Sequence, residues 1–169
     1  MINSTLFRRI QLQMLMNLTA RALGQPPLRL WTHSNDDALR AYAEYTCRHL
    51  RKGADEALLR RMNDEAYKTG YRLRRLFFVR KTAAAQPLVM ALYRNICIDL
   101  SFPDSQTLCF RNCYFSRYYT PSVCLAASAL DDGIIRGITG QTTCRLCFSP
   151  RITEGCNCCQ ASFKEPHTT

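Results

Sequence analysis

The chain has 169 residues, 47% hydrophobic and 21% charged, enough for one well-buried domain and too few for a second full one. Its net charge of +10 sits almost wholly in residues 1–90, where 16 Lys and Arg face 7 Asp and Glu, against 7 and 6 in the remainder. No apolar run reaches the roughly 18–20 residues of a membrane span, the first ten residues lack a secretory signal's apolar core, and no nucleic-acid motif accompanies the charge. The reading is therefore a cytoplasmic protein with neither membrane nor nucleic acid as partner.

Four helices are predicted in the first hundred residues. From Ile10 to Leu23, apolar positions recur at three and four, and Gly24 with Pro26-Pro27 stops them. Ser34-Asn35-Asp36-Asp37 carries short polar side chains that cap free amides, and acids that suit a helix N-terminus, so a second helix is expected to about Lys52. Ala54 to Arg80 reads as a third, with Gly70 marking a close helix contact or a break. Pro87 to Leu100 alternates too little for a strand and reads as a fourth.

The period changes to two at Thr107. Leu108 and Phe110 then share one face of a strand, with Cys109, Arg111 and Cys113 on the other. Thr120-Pro121 provides a cap followed by proline at the first helical position, opening a helix to about Ile138. Thr142 to Ser149 and Cys158 to Phe163 are two further strands, joined through Pro150 to Asn157 with Gly155 as the turn residue. The fold expected is α+β and a single domain over residues 1–169: a helical N-terminal layer (1–100) packed on a small, mainly antiparallel sheet within a cysteine-rich strand-helix-strand-strand part (101–164), with a loose tail (165–169).

Eight of the ten cysteines fall between Leu108 and Phe163, among arginines. A fixed positive charge eases ionisation of a thiol, and the thiolate is the nucleophile and metal ligand. With Leu108, Phe110, Leu146, Phe148, Ala161 and Phe163 turned to the core, the opposite sheet face collects Cys109, Arg111, Cys113, Arg145, Cys147, Cys158 and Gln160. Cys144 and Cys159 point to the core. On the Thr120–Ile138 helix, Cys124, Ser128, Asp131 and Ile135 share a side beside the apolar stripe of Val123, Ala127, Leu130 and Ile134. A ligand site is expected between this helix and the sheet, with Cys113, Cys147 and Cys158 around one cavity. Any single cysteine is better explained as a small packed hydrophobe, and either Asp131 or Asp132 as a local hydrogen-bond or surface salt-bridge partner; it is the group on one face that favours a site.

Cys144-Arg-Leu-Cys147 and Cys156-Asn-Cys158-Cys159 offer enough sulfur for a tetrahedral zinc. Positions 144 and 147 of one strand face opposite ways, however, and the first pair lacks the glycine of a zinc knuckle, so no cofactor is expected and zinc is the lesser alternative. His33, His49 and His167 lie outside the cysteine region, leaving Asp131, Asp132 or Glu154 to move protons.

Pro121, Asp131 ten residues on, Arg151-Ile152, Gly155, Cys158-Cys159 and the strand end at Phe163, with Cys113-Tyr114 upstream, resemble the L-2-amino-thiazoline-4-carboxylic acid hydrolase family over about 50 residues. Where that family carries a cysteine three residues before the aspartate, this chain has Ser128. The resemblance implies hydrolysis of a C–N bond in a small cyclic amidine, opening a thiazoline ring toward a carbamoylated cysteine. Beside it, the residues offer two routes: Cys158, ionised by Arg145 or Arg151, attacks the amidine carbon, or Asp131 activates a water to do so. Arg111 would pair with the substrate carboxylate, as a planar guanidinium favours, and Arg145, Arg151, Cys113, Cys147 and Ser128 complete the expected site. The alternative is a non-catalytic protein whose thiol-rich face holds a small molecule, metal or tetrapyrrole. A homo-oligomer is left open by the sequence.

Overall fold

The computed structural model describes residues 4–31 and 33–165; the expected tail, from residue 166 on, lies outside the described residues. Helix α1 (Ser4–Leu23) starts six residues before the expected Ile10. Its first turns show no amphipathic pattern because Leu6 and Ile10 stand about half exposed. Helix α2 (Asn35–Leu50) is capped as the sequence suggests, the Asp37 amide donating to Ser34 Oγ at 3.2 Å. Helix α3 (Glu56–Leu76) starts on Asp55, whose Oδ1 accepts from the Leu58 amide at 2.7 Å.

Residues 82–101 depart from expectation. Helix α4 (Thr82–Asn95) starts five residues before Pro87, which sits inside it. The chain then reverses at Cys97, held left-handed at φ 60°, and Asp99–Ser101 form strand β1 rather than a helix end. One left-handed cysteine is a feature no periodicity reveals. Strand β2 (Thr107–Arg111), a 3-10 turn (Tyr114–Arg117), helix α5 (Pro121–Thr139), strand β3 (Arg145–Phe148), a second 3-10 turn (Ile152–Glu154) and strand β4 (Cys159–Lys164) complete the chain.

The fold is α+β. Its four strands run antiparallel in the order β1-β2-β4-β3. Leu100 pairs with Phe110, Leu108 with Ala161, and Leu146 with Phe163, which places the most apolar side chains of every strand on one face. All six are buried. Gly155, at φ 89°, turns the connection between β3 and β4 where the sequence marks it.

Helix α5 is pressed against both the sheet and α3. Gly70 of α3 marks a close contact rather than a break: a Cβ there would lie 2.3 Å from the Ile134 carbonyl oxygen. Gly133 and Gly137, one turn apart on α5, meet the α3 main chain just as closely. No helix among the described residues is long and apolar enough to cross a membrane.

Candidate functional site

Helix α5 covers the apolar face of the sheet, because its stripe of Val123, Leu130, Ile134 and Ile138 can be removed from water only against apolar partners. The space between helix and sheet is therefore on the opposite side from the arginine-and-cysteine face. The single cavity expected to gather Cys113, Cys147 and Cys158 is not formed. Cys158, Cys147 and Arg111 lie on the outer face of the sheet, and Cys113 lines the interior.

A cavity of about 90 Å³ lies among α1, α4, α5 and the inner sheet face. Most of its wall is hydrocarbon. The polar groups that reach it include Gln11, Tyr42, Tyr93, Cys113, Cys124, Asp131 and Cys159. On α5 the lining side is Cys124, Ala127, Asp131 and Ile134, spaced three, four and three. Ser128 is turned off it into a groove shared with Arg60, Leu125 and Arg145, where its hydroxyl donates to the Leu125 carbonyl at 2.6 Å. The volume suits a small ring or a few waters, well below the several hundred Å³ of pockets for drug-sized ligands. A tetrapyrrole does not fit it.

Asp131 is the ionisable acid of this interior. Tyr93 donates its phenol to Asp131 Oδ1 at 2.6 Å, and no donor among the described residues reaches Oδ2. Burial raises the carboxyl to about 6, against the lowering effect of the Tyr93 bond and helped by the neighbouring Asp132 charge. Burial likewise pushes the Cys113 thiol up to about 12 and Cys159 to about 11, and raises Cys124. At neutral pH these thiols hold their protons, so the group poised for proton transfer is Asp131.

Asp132, one residue on and about 100° around the helix, has a different task. Its Oδ1 accepts from Arg136 Nε at 2.7 Å and the Leu146 amide at 2.9 Å, and its Oδ2 from Asn63 Nδ2 at 2.7 Å. Those bonds tie α3, α5 and β3 together. Arg145, with 55% of its side chain exposed, reaches the same carboxylate at 3.6 Å and not Cys158. Arg145 pairs with Lys164 in the sheet register, while Cys158 precedes the opposite end of that strand.

Arg151 lies nearer the interior. Its side chain is 14% exposed and bonds Glu154 at 3.0 Å, its charge acts on Cys124 and Cys159, and its buried Nε meets no acceptor among the described residues. The Cys158 thiol is raised, first by its hydrogen bond with Cys109, and Arg111 opposes that only in part. Alkylation followed by mass spectrometry is expected to modify Cys147, the exposed thiol, first, and the buried Cys109 and Cys159 last. Prompt labelling of Cys159 would contradict its buried, protonated state.

Cys113, Ser116 and Ile152 line both the cavity and a surface depression with Asn112, Arg117 and Asn157, so the two 3-10 turns flank the approach. Among the described residues no group of three or more His, Cys, Asp or Glu side chains is arranged to hold a metal ion. Sequence reasoning placed Asp131 on the helix facing the sheet and missed Tyr93 and Gln11. Both are polar residues within buried stretches of their helices, a signal visible only once each is asked which partner satisfies it. No family model and no curated protein matches this chain.

Proposed function

We propose that the cavity binds a small cyclic amidine and that the protein hydrolyses a C–N bond in it, with Asp131 activating the water. The observation carrying this reading is a single carboxyl in an apolar cavity, raised to about 6, with one oxygen held by Tyr93 and the other open. A planar amidine presents N–H groups that a carboxylate accepts well. Asp131 takes a proton from water as the oxygen bonds to the amidine carbon, the ring C–N bond breaks, and both water hydrogens end on the departing nitrogen. Arg151 replaces Arg111 as the cation suited to a substrate carboxylate, because Arg111 projects from the far side of the sheet. This is the chemistry implied by the resemblance to the L-2-amino-thiazoline-4-carboxylic acid hydrolase family, with the acid rather than Cys158 in the leading part. Ten free thiols suit a reducing compartment, the cytoplasm.

The test is turnover of 2-amino-thiazoline-4-carboxylate followed by product mass. Asp131→Asn is expected to lower kcat by about 10²–10⁴, the usual worth of a positioned base, while Cys158→Ser leaves it unchanged. Because the deprotonated carboxyl is the active form, the wild-type rate should rise with pH through about 6 and level off above it. Loss of turnover in Cys158→Ser with full activity in Asp131→Asn would reverse the assignment. A second reading, binding without turnover, is favoured by the protonated state of all three cavity thiols. A thermal shift with the amidine that Asp131→Asn abolishes, and no product, would select it.

A further inference from the structure

Between Glu65 and Asp99 the chain contains no acidic residue, while Arg72, Arg74, Arg75, Arg80 and Lys81 cluster at its middle. There α3 ends, and Leu76, Phe77 and Phe78 stand 67%, 43% and 84% exposed. Phe78 is held outward by bonded structure. It adopts φ 52°, a conformation unfavourable for a bulky side chain. Its amide donates to the Arg75 carbonyl at 3.2 Å, and the Val79 amide to Arg74 at 2.9 Å. The Arg74 guanidinium then bridges the carbonyls of Arg80 and Ile138, at 2.9 Å each. Val79 packs against the core from the same turn that points Phe78 away from it.

Leu76 also joins this tip to a groove that contains Ile10, Trp31 and Arg72. Ile10 and Trp31 are 46% and 47% exposed, so the apolar surface runs on past the tip. A contiguous apolar patch rimmed by one sign of charge is the mark of an interaction surface.

We infer that this face docks peripherally on an anionic lipid bilayer, with Leu76, Phe77 and Phe78 entering the headgroup boundary and Arg72, Arg75, Arg80 and Lys81 meeting lipid phosphates. The absence of a membrane span does not bear on this, since an interfacial contact needs only an apolar wedge and a basic rim. A second copy of the chain does not suit the surface, because it would bring the same four cations face to face. An acidic protein would match the charge. Three apolar side chains projecting from a helix end form a wedge rather than a slot, however, and long basic side chains beside them keep their charges at headgroup level. The inference is independent of the cavity and its chemistry.

Co-sedimentation with vesicles tests it. The full chain is expected to pellet with equimolar phosphatidylglycerol and phosphatidylcholine and to stay in solution with phosphatidylcholine alone. Raising salt to about 0.5 M should release most of it, as screening shortens the reach of the rim charges. Phe78→Asn suits the left-handed backbone and should fold normally, yet weaken partitioning about tenfold. Arg75→Glu with Arg80→Glu changes only exposed side chains and should lose at least about fivefold per cation. Retention of Phe78→Asn equal to the wild type, or equal binding to both vesicle types, would overturn the inference. So would binding of polyglutamate, with the same sensitivity to these variants, by a protein that ignores vesicles.

Discussion

Asp132→Ala is expected to lower folding stability by about 3–5 kcal/mol, the usual cost of removing one partner from a buried ion pair. Arg136, 8% exposed, would lose its carboxylate and keep its charge inside the protein. The Leu146 amide and Asn63 Nδ2 would each lose an acceptor at the junction of α3, α5 and β3. Asn63 Oδ1 already accepts from Arg136 Nη2 at 2.7 Å and cannot take the whole charge. Urea unfolding measures the loss, and adding Arg136→Met should recover part of it by removing the stranded cation. A single variant within about 1 kcal/mol of the wild type would mean that water reaches the cluster and replaces the missing oxygens.

Gly133→Ala should be comparably damaging, at about 3 kcal/mol or more, the upper end of overpacking effects. Its new methyl would lie 2.3 Å from the Asn63 carbonyl oxygen, 2.7 Å from Ala66 Cβ and 2.8 Å from the Tyr67 amide nitrogen. Two of these three are main-chain atoms inside a helix, which no rotamer change can move aside. Relief requires α5 to lift from α3, opening the most extensive helix contact among the described residues. Gly137→Ala added to it, with the Tyr67 carbonyl oxygen at 2.5 Å, should prevent folding. The thermal midpoint and soluble yield report both effects. Gly53→Asn, with open space around it and only the mild strain of a left-handed φ of 85° that asparagine tolerates, is the comparison without a clash and should cost no more than about 1 kcal/mol.

Local chemistry in the sequence carried much of the fold. Ser34 and Thr120 cap where short oxygen-bearing side chains precede helical stretches, Pro121 opens α5, and Gly155 turns the last hairpin, because each depends only on residues nearby in the chain. The alternation of Leu108, Phe110, Leu146, Ala161 and Phe163 fixed the inner face of the sheet for the same reason. The error lay in the next step. A helix with an apolar stripe has to cover the apolar face, so the cysteines and arginines on the other side could not also surround the enclosed space. Asp131 was legible as a polar residue on the right helix, but its distinction from Asp132 was not. That distinction depends on Tyr93 and Asn63, which lie 38 and 69 residues away and reach these carboxyls only after α3 and α4 have packed. Strand β1 was lost to a single left-handed residue, Cys97.

The Tyr93-held acid also gives the whole fold a pH dependence. Its carboxyl titrates near 6 when folded and near 3.8 when unfolded, so the folded chain binds that proton more tightly. The stability it contributes is fully present below the unfolded value and is lost as pH rises through the folded one. The difference corresponds to about 3 kcal/mol. At neutral pH the protein therefore carries an ionised acid that weakens its own interior, and acidification from about 6 toward 3.8 gives that stability back step by step.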